Sequence, residues 1–182
     1  MLLWFVPLFK EFFRAIGSIP ADATNIVKAI DGGHSVMLVP GGSEEVMWAG
    51  RTDAEHIVLK DKLGFIKLAL RQGLTVVPVW SYGESMGTGV FDNPAYFHER
   101  LRFTQLSGIP LRFVSLSQRW FLPFPNGVLV VAVGKPLNLG HIVSPSPEQL
   151  RAAHAQYVDA LLLLIEETKH EAGYPNIKVK LV

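Results

Sequence analysis

Residues 73–84 have the sequence GLTVVPVWSYGE, in which a glycine precedes a run of apolar and β-branched side chains. The part Thr75–Trp80 is typical of a buried β-strand. Residues 61–72, just before it, have apolar side chains at helical spacing, and Gly73 supplies a signal for the end of that helix. A helix that leads directly into a buried strand favours an α/β fold.

The alternation of helices and strands continues on both sides of this stretch. Two further apolar runs, Ser35–Val39 and Val128–Val133, predict strands, and the second is continuous enough to suggest burial on both faces. Ser146 and Gln149 form a capping-box signature for the last helix. Helices are predicted over Leu8–Ile16, Ala21–Ile30, Asn93–Leu106 and from Ser146 to about Glu171. We therefore predict a single α/β domain over residues 1–182, with a largely parallel sheet flanked by helices.

The composition excludes several classes of protein. The chain is 49% hydrophobic and 18% charged, with a mean hydropathy of +0.26, which excludes intrinsic disorder. Its net charge is +1 and no basic stripe is present, so nucleic acid is not expected as a partner. The absence of cysteine excludes disulfides, thiolate catalysis and cysteine-ligated zinc. The apolar excess predicts either an interior buried on both faces or a surface that meets lipid.

The N-terminal apolar run is too short to cross a bilayer as a helix. It extends over Met1–Phe9 and is stopped by Lys10 and Glu11, whereas a span needs about 18–20 apolar residues. We expect a buried or interfacial helix here, and peripheral contact with a membrane surface stays open.

A glycine-rich loop follows the first predicted strand. Gly41 and Gly42 stand directly after Val39-Pro40, where backbone N–H groups can approach a phosphate or a developing oxyanion. On spacing alone, the same pair is more typical of a tight turn that needs a positive φ. The glutamates that come next, Glu44 and Glu45, are typical of solvated charges.

A second loop, Gly83–Gly87, fits the Gly-x-Ser-x-Gly pattern of a nucleophile elbow with Ser85 as nucleophile. That motif needs a strand before the serine and a helix immediately after it. The strand is predicted, but the residues that follow have the composition of a loop.

The histidines have no metal-binding spacing, so a zinc site is not predicted. His34, at the start of a predicted strand, is a candidate base or an ordinary turn residue. His154, on the last helix, is expected to have a packing or surface role rather than a catalytic one. The full set is His34, His56, His98, His141, His154 and His170.

Several segments together resemble the type 2 diacylglycerol acyltransferases and their monoacylglycerol and wax-ester relatives. Val39–Glu45 is similar to their Val-Pro-Gly-Gly-x-x-Glu block, and Gly73–Glu84 to their Gly-x-x-Leu-Val-Pro-Val-x-x-Phe-Gly-Glu block. The other matching segments are Lys62–Ala69, Val133–Pro136 and the helix with His154 and Tyr157. The order and spacing agree from about Pro7 to Val179.

The sequence departs from the family pattern at three points. Tyr82 stands where a Phe is usual, and Leu63 replaces a usual lysine beside Lys62, so one basic charge is missing. The family's catalytic His-Pro-His-Gly motif does not occur in these residues, which suggests a C-terminal portion of the full protein that is truncated at its N-terminus.

The resemblance implies an acyltransferase that moves a fatty acyl group from acyl-CoA to the hydroxyl of a lipid alcohol, as in triacylglycerol synthesis. It implies a glycerolipid-acyltransferase-like sheet, an endoplasmic reticulum membrane location, no cofactor besides the co-substrate acyl-CoA, and a catalytic histidine outside this chain. The substrate-binding residues that it suggests are Gly41, Gly42, Glu45, Gly83 and Glu84.

Two other functions stay open at this point. A chain without the histidine motif is also compatible with a non-catalytic protein that binds lipid or acyl-CoA. A serine hydrolase that uses Ser85 is the more distant alternative.

Overall fold

The computed structural model describes residues 9–48, 54–83, 89–91, 96–108, 113–115 and 128–182. The helices within them are α1 (Phe9–Ala15), α2 (Ala23–Asp31), α3 (Gly42–Trp48), α4 (Gly64–Gln72), α5 (Phe97–Ser107) and α6 (Pro147–Thr168). The strands are β1 (Glu55–Ile57), β2 (Thr75–Val76), β3 (Val79–Tyr82), β4 (Gly89–Phe91), β5 (Phe113–Ser115), β6 (Val130–Val133), β7 (Leu137–Asn138) and β8 (Val179–Leu181). The mixture of helices and strands confirms the α/β class.

Strand pairing differs from the prediction of a largely parallel sheet. Over the described residues the strands form two-stranded pairs, and one of these, β1 with β8, is parallel. The pairs β2–β7, β3–β6 and β4–β5 are antiparallel. The prediction was wrong here because a short apolar run fits a parallel or an antiparallel strand equally well. The direction of pairing depends on a distant partner.

The predicted strand Thr75–Trp80 is divided in two by Pro78, which has no N–H to donate to a ladder. Its first part is β2 and its second part begins β3, and their partners β7 and β6 are separated by Gly134-Lys135-Pro136. The Gly134 N–H donates to the Pro78 carbonyl at 2.8 Å, so the two interruptions lie side by side. A Cβ at Gly134 would lie 2.8 Å from Pro78 Cγ and 3.3 Å from Leu164 Cδ2, which makes glycine necessary at this approach to α6.

Two predictions about apolar runs were wrong. Strand β6 is buried on one face only, since Ala132 is buried whereas Val131 is 55% and Val133 67% exposed. The run Ser35–Val39 forms no strand, and no described residue pairs with it. Met37, within this run, is 90% exposed. Apolar character alone does not supply the neighbouring edge that a strand requires.

The helix ends match the sequence signals because those signals act locally. Ser146 Oγ accepts from the Gln149 N–H at 3.2 Å, and Gln149 Oε1 accepts from the Ser146 N–H at 2.9 Å, which completes the predicted capping box of α6. Helix α4 ends at Gly73 with φ +62°, a left-handed conformation that favours glycine. Asp22 caps α2 through the Asn25 N–H at 3.0 Å.

The core lies between α6 and the inner face of the β3–β6 pair. Helix α6 presents an apolar face that includes the predicted positions Ala153, Tyr157, Leu161 and Leu164, all buried. Helix α4 contributes Ile66 and Leu70 to the same cluster. At its centre, the fully buried Tyr82 donates from its hydroxyl to the Ile165 carbonyl at 2.8 Å and lies 2.8 Å from Thr168 Oγ1.

Replacement of Tyr82 by Phe tests this connection between β3 and α6. We expect Tyr82→Phe to lower the free energy of unfolding by about 1 kcal/mol, because a buried hydrogen bond is lost while the ring is kept. Urea denaturation measures the change. The exposed Tyr96 serves as the control, and Tyr96→Phe should change the stability by less than about 0.5 kcal/mol. Equal stability of Tyr82→Phe and the unchanged protein would contradict the assignment.

Candidate functional site

The glycine loop forms a tight turn that leads into α3. The Gly42 N–H donates to the Val39 carbonyl at 3.2 Å, and Gly42 has φ +61°, so this glycine is required by the turn. Gly41 is buried. The prediction of a tight turn at these glycines is therefore confirmed. Binding of a ligand by Gly41 and Gly42 stays a prediction.

Gly41 lies directly against the side chain of Glu45. A Cβ at position 41 would lie 2.8 Å from both Cβ and Cδ of Glu45 and closer still to Oε2. Glycine at position 41 thus lets the backbone of the turn and the glutamate side chain occupy adjacent space. The Glu45 Oε2 atom is itself buried.

The two glutamates of α3 are held in different surroundings, and neither is fully solvated, contrary to the prediction. Glu44 Oε2 pairs with Lys62 Nζ at 2.8 Å, with both side chains partly exposed. Glu45 lies near Tyr157 of α6. Burial, as the main cause, and the negative charge of Glu45, as the second, raise the pKa of the Tyr157 hydroxyl above its usual value.

Helix α6 provides the other wall of this region. The rings of Phe65 and Tyr157 meet edge to face, with centroids 5.0 Å apart. His154 is buried, and its Nε2 lies 2.9 Å from the Leu59 carbonyl. Because a carbonyl oxygen only accepts, that nitrogen carries the proton of the imidazole.

We refer to Gly41, Glu45, Phe65, His154 and Tyr157 as the Glu45 cluster. Its members come from three segments that are distant in sequence and that were singled out separately by the resemblance. Their meeting through α3, α4 and α6 was not predicted from spacing. The only signal in the sequence was their common similarity to one family.

Gly83, another predicted site residue, lies elsewhere on the molecule. It has φ +89°, and a Cβ there would lie 2.5 Å from the Tyr174 hydroxyl and 2.6 Å from the Val128 carbonyl. It borders a cavity of about 270 Å³ together with residues of the turn that follows α6. Ile165 of α6 lies beneath this end of β3. Tyr157, in the Glu45 cluster, lies about 12 Å before Ile165 along the axis of α6. Glu84, the last predicted site residue, lies outside the described residues.

The nucleophile elbow suggested for Gly83–Gly87 stays a prediction. Gly83 ends the described stretch that contains β3, and Ser85 lies outside the described residues. The next described element is strand β4, which begins at Gly89.

The remaining histidines have structural surroundings or are exposed. His56 stacks on Trp48 with ring centroids 4.7 Å apart, and His141 Nε2 lies 3.1 Å from the Arg71 carbonyl. His34 is exposed and directly follows the turn that ends α2. Over the described ranges, no three His, Asp or Glu side chains come close enough to hold a metal ion.

Comparison with known proteins agrees with the resemblance. The family model described as diacylglycerol acyltransferase matches residues 2–182. The chain therefore belongs to the diacylglycerol acyltransferase family, which confirms the relationship inferred from the sequence blocks. None of the solved structures matches the chain.

Similar curated proteins are acyltransferases of acylglycerols. Diacylglycerol O-acyltransferase 1 of Eremothecium gossypii is 30% identical over 187 residues, which cover 97% of this chain and 40% of that protein. Human 2-acylglycerol O-acyltransferase 3 is 30% identical over 95% of this chain and 54% of its own length. Diacylglycerol O-acyltransferase 2 of Bos taurus is 25% identical over 96% of this chain and 51% of its own length. The chain thus spans about half the length of these relatives.

Because Gly41 lies so close to Glu45, we expect an alanine at position 41 to destabilise the protein, whereas an alanine at position 64 should not. Gly41→Ala should lower the free energy of unfolding by about 1–3 kcal/mol, because the added methyl group overlaps the Glu45 side chain. Gly64 is the matched control, since a Cβ there would meet nothing within 4 Å. Thermal unfolding should show Gly64→Ala as unchanged or slightly more stable. Equal stability of the two variants would contradict the close contact between Gly41 and Glu45.

Titration of Tyr157 tests its proximity to Glu45. Glu45→Gln removes the negative charge that helps to raise the pKa of Tyr157, so the phenolate should form at lower pH, while burial still holds the pKa above its usual value. Tyrosinate absorbance, with the signal of Tyr157→Phe subtracted, follows this group. Glu44→Gln should leave the pKa of Tyr157 unchanged. An equal change of this pKa in Glu45→Gln and Glu44→Gln would contradict a specific effect of Glu45.

Proposed function

We propose that this chain is part of an enzyme that transfers a fatty acyl group from acyl-CoA to the hydroxyl of a lipid alcohol such as diacylglycerol. The observation that carries the proposal is the match to the diacylglycerol acyltransferase family over residues 2–182. The convergence of family-like segments in the Glu45 cluster supports it, because substrates are bound where distant segments meet.

The proposed reaction breaks the thioester C–S bond and forms an ester C–O bond. A neutral hydroxyl is a weak nucleophile, so a general base must take its proton as the oxygen attacks the thioester carbonyl, which contributes roughly 10²–10⁴-fold. N–H groups stabilise the negative oxygen of the tetrahedral intermediate. Collapse of the intermediate expels the thiolate of coenzyme A, which then receives the proton.

We assign the general base to the histidine motif of the family, outside these residues. His154 does not accept a proton through Nε2, since that nitrogen already donates to the Leu59 carbonyl. Glu45 instead serves to orient the acceptor or to hold the geometry of the loop. Gly41 and Gly42 line the acyl or acceptor site, and Gly83 with Glu84 contributes to substrate binding near the end of β3.

Acyl-CoA is the proposed co-substrate, and no further cofactor is assigned. We propose that the enzyme works at the surface of the endoplasmic reticulum membrane. Helix α1 and the turn that follows it support contact with lipid, because Phe12 in the helix and Ile16 in the turn are 60% and 61% exposed. No helix among the described residues is long and apolar enough to cross a membrane.

The role of Glu45 is tested in the intact protein, in membranes supplied with acyl-CoA and diacylglycerol. Glu45→Ala should lower acyl transfer by at least tenfold, which corresponds to about 1.4 kcal/mol of barrier. Glu44→Ala is the control and should stay within about threefold, because a partly exposed ion pair contributes about 1 kcal/mol or less. Immunoblots establish equal protein levels.

Two results would argue against the proposal. Unchanged transfer by Glu45→Ala at normal protein level would remove Glu45 from the site. Binding of acyl-CoA by the intact protein without transfer to any alcohol would favour the non-catalytic alternative.

A further inference from the structure

Two hydrogen bonds converge on one backbone carbonyl oxygen between β1 and α4. The Lys62 N–H donates to the Leu59 carbonyl at 3.0 Å and closes a turn. The His154 Nε2–H of α6 donates to the same oxygen at 2.9 Å. Both His154 and Leu59 are buried. The imidazole therefore fastens the turn that precedes α4 to the long helix α6.

Helix α4 has no side-chain cap that could fix its start locally. Its N-cap residue is Leu63, which makes no capping hydrogen bond, whereas capped helices use a side-chain oxygen of Ser, Thr, Asp or Asn. The first N–H groups of a helix have no partner within the helix. The position of this helix start therefore depends on contacts with the rest of the fold, and the bond from His154 to Leu59 is such a contact.

The start of α4 positions one wall of the Glu45 cluster. Phe65, the second residue of α4, meets the ring of Tyr157 edge to face with centroids 5.0 Å apart, and its centroid lies 6.5 Å from that of His154. His154 and Tyr157 are three residues apart on α6, so they share one face of that helix. Tyr157 in turn lies near Glu45. One face of α6 thus holds both the turn before α4 and the first aromatic ring of α4.

Packing alone does not account for a histidine at position 154. An apolar side chain of similar size would fill the same space without a polar group to remove from water. A buried N–H group is unfavourable unless it has a partner, and the Leu59 carbonyl supplies that partner. A hydrogen bond also fixes distance and direction more narrowly than an apolar contact does.

We propose that His154 is a positioning residue of the acceptor site, an inference that rests on the proposed acyl transfer. Its hydrogen bond to the Leu59 carbonyl sets the start of α4 and, with it, the place of the Phe65 ring in the Glu45 cluster. His154 touches no reacting atom and exchanges no proton with the substrates. Loss of the bond displaces the wall against which the alcohol is oriented, and a misplacement of about 1 Å can lower a rate by up to about a hundredfold.

The test separates the hydrogen bond from the packing of the side chain, in the intact enzyme supplied with acyl-CoA and diacylglycerol. His154→Leu keeps an apolar side chain of similar size but has no donor, whereas His154→Gln retains an N–H donor on a side chain of similar reach. We expect His154→Leu to raise the KM for diacylglycerol about tenfold, with kcat and the KM for acyl-CoA within about threefold. His154→Gln should recover most of this loss.

His141→Leu is the matched control. The Nε2–H of His141 also donates to a backbone carbonyl, that of Arg71 at 3.1 Å, but this bond lies in the last turn of α4 and His141 is exposed. The control should leave both KM values in place. Phe65→Leu is a second variant, at a partly buried position where failure to fold is not expected. It should raise the KM for diacylglycerol, because it removes the ring edge that meets Tyr157.

Positioning also predicts that the effects of two replacements are not independent. If His154 acts through the surroundings of Glu45, His154→Leu and Glu45→Ala together should lower kcat/KM for diacylglycerol by less than the product of their separate effects. Multiplicative effects would overturn the inference.

Three further results would overturn the positioning role and leave the proposed function standing. One is an unchanged KM for diacylglycerol in both His154→Leu and Phe65→Leu. Another is a fall in kcat alone, which is what a smaller folded fraction produces. The third is an equal loss in His154→Leu and His154→Gln, which would make the donor irrelevant. Absence of transfer by the unaltered intact enzyme would instead overturn the proposed function.

Discussion

The packing of α6 against β3 is the constraint on which the rest of the described structure depends. Tyr82 links the two elements through its hydrogen bond to the Ile165 carbonyl, in the centre of the buried cluster. Gly134 lets the loop between β6 and β7 approach Leu164 at the same level of the helix. One turn of helix rises 5.4 Å, so the long α6 reaches both this region and the Glu45 cluster nearer its start. The position of each candidate site is therefore set by a different part of one helix.

Sequence predicted the features whose causes are local. The capping of α6 by Ser146 and Gln149 and the end of α4 at Gly73 need only a few neighbouring residues, so their signals were sufficient. Strand pairing has no such local cause. The run Ser35–Val39 has the composition of a strand but no edge to pair with among the described residues, and Pro78 divided a second run that looked continuous.

The same distinction between local and distant causes applies to the candidate sites. The turn at Gly42 was predictable from paired glycines, since a positive φ is a property of one residue. The approach of Glu45 to Tyr157 joins residues that are far apart in the sequence, and only similarity to a family connected them in advance. The cavity beside Gly83 had no signal in the sequence, because Ser81 and Asn176, which both line it, are far apart along the chain.

Of the two causes expected for the apolar excess of the composition, burial of strands on both faces does not hold for β6. Burial of strands on both faces would have hidden the valines of β6, yet Val131 and Val133 are largely exposed on the face opposite Ala132. Met37 and Phe12 are exposed as well. Contact of this apolar area with water costs roughly 25 cal/mol of free energy per Å², so burial against a suitable partner would be favourable. The outer face of β6 is therefore apolar surface that the described residues leave uncovered, and the exposed Phe12 of α1 is in keeping with the lipid surface at which we propose that the enzyme works.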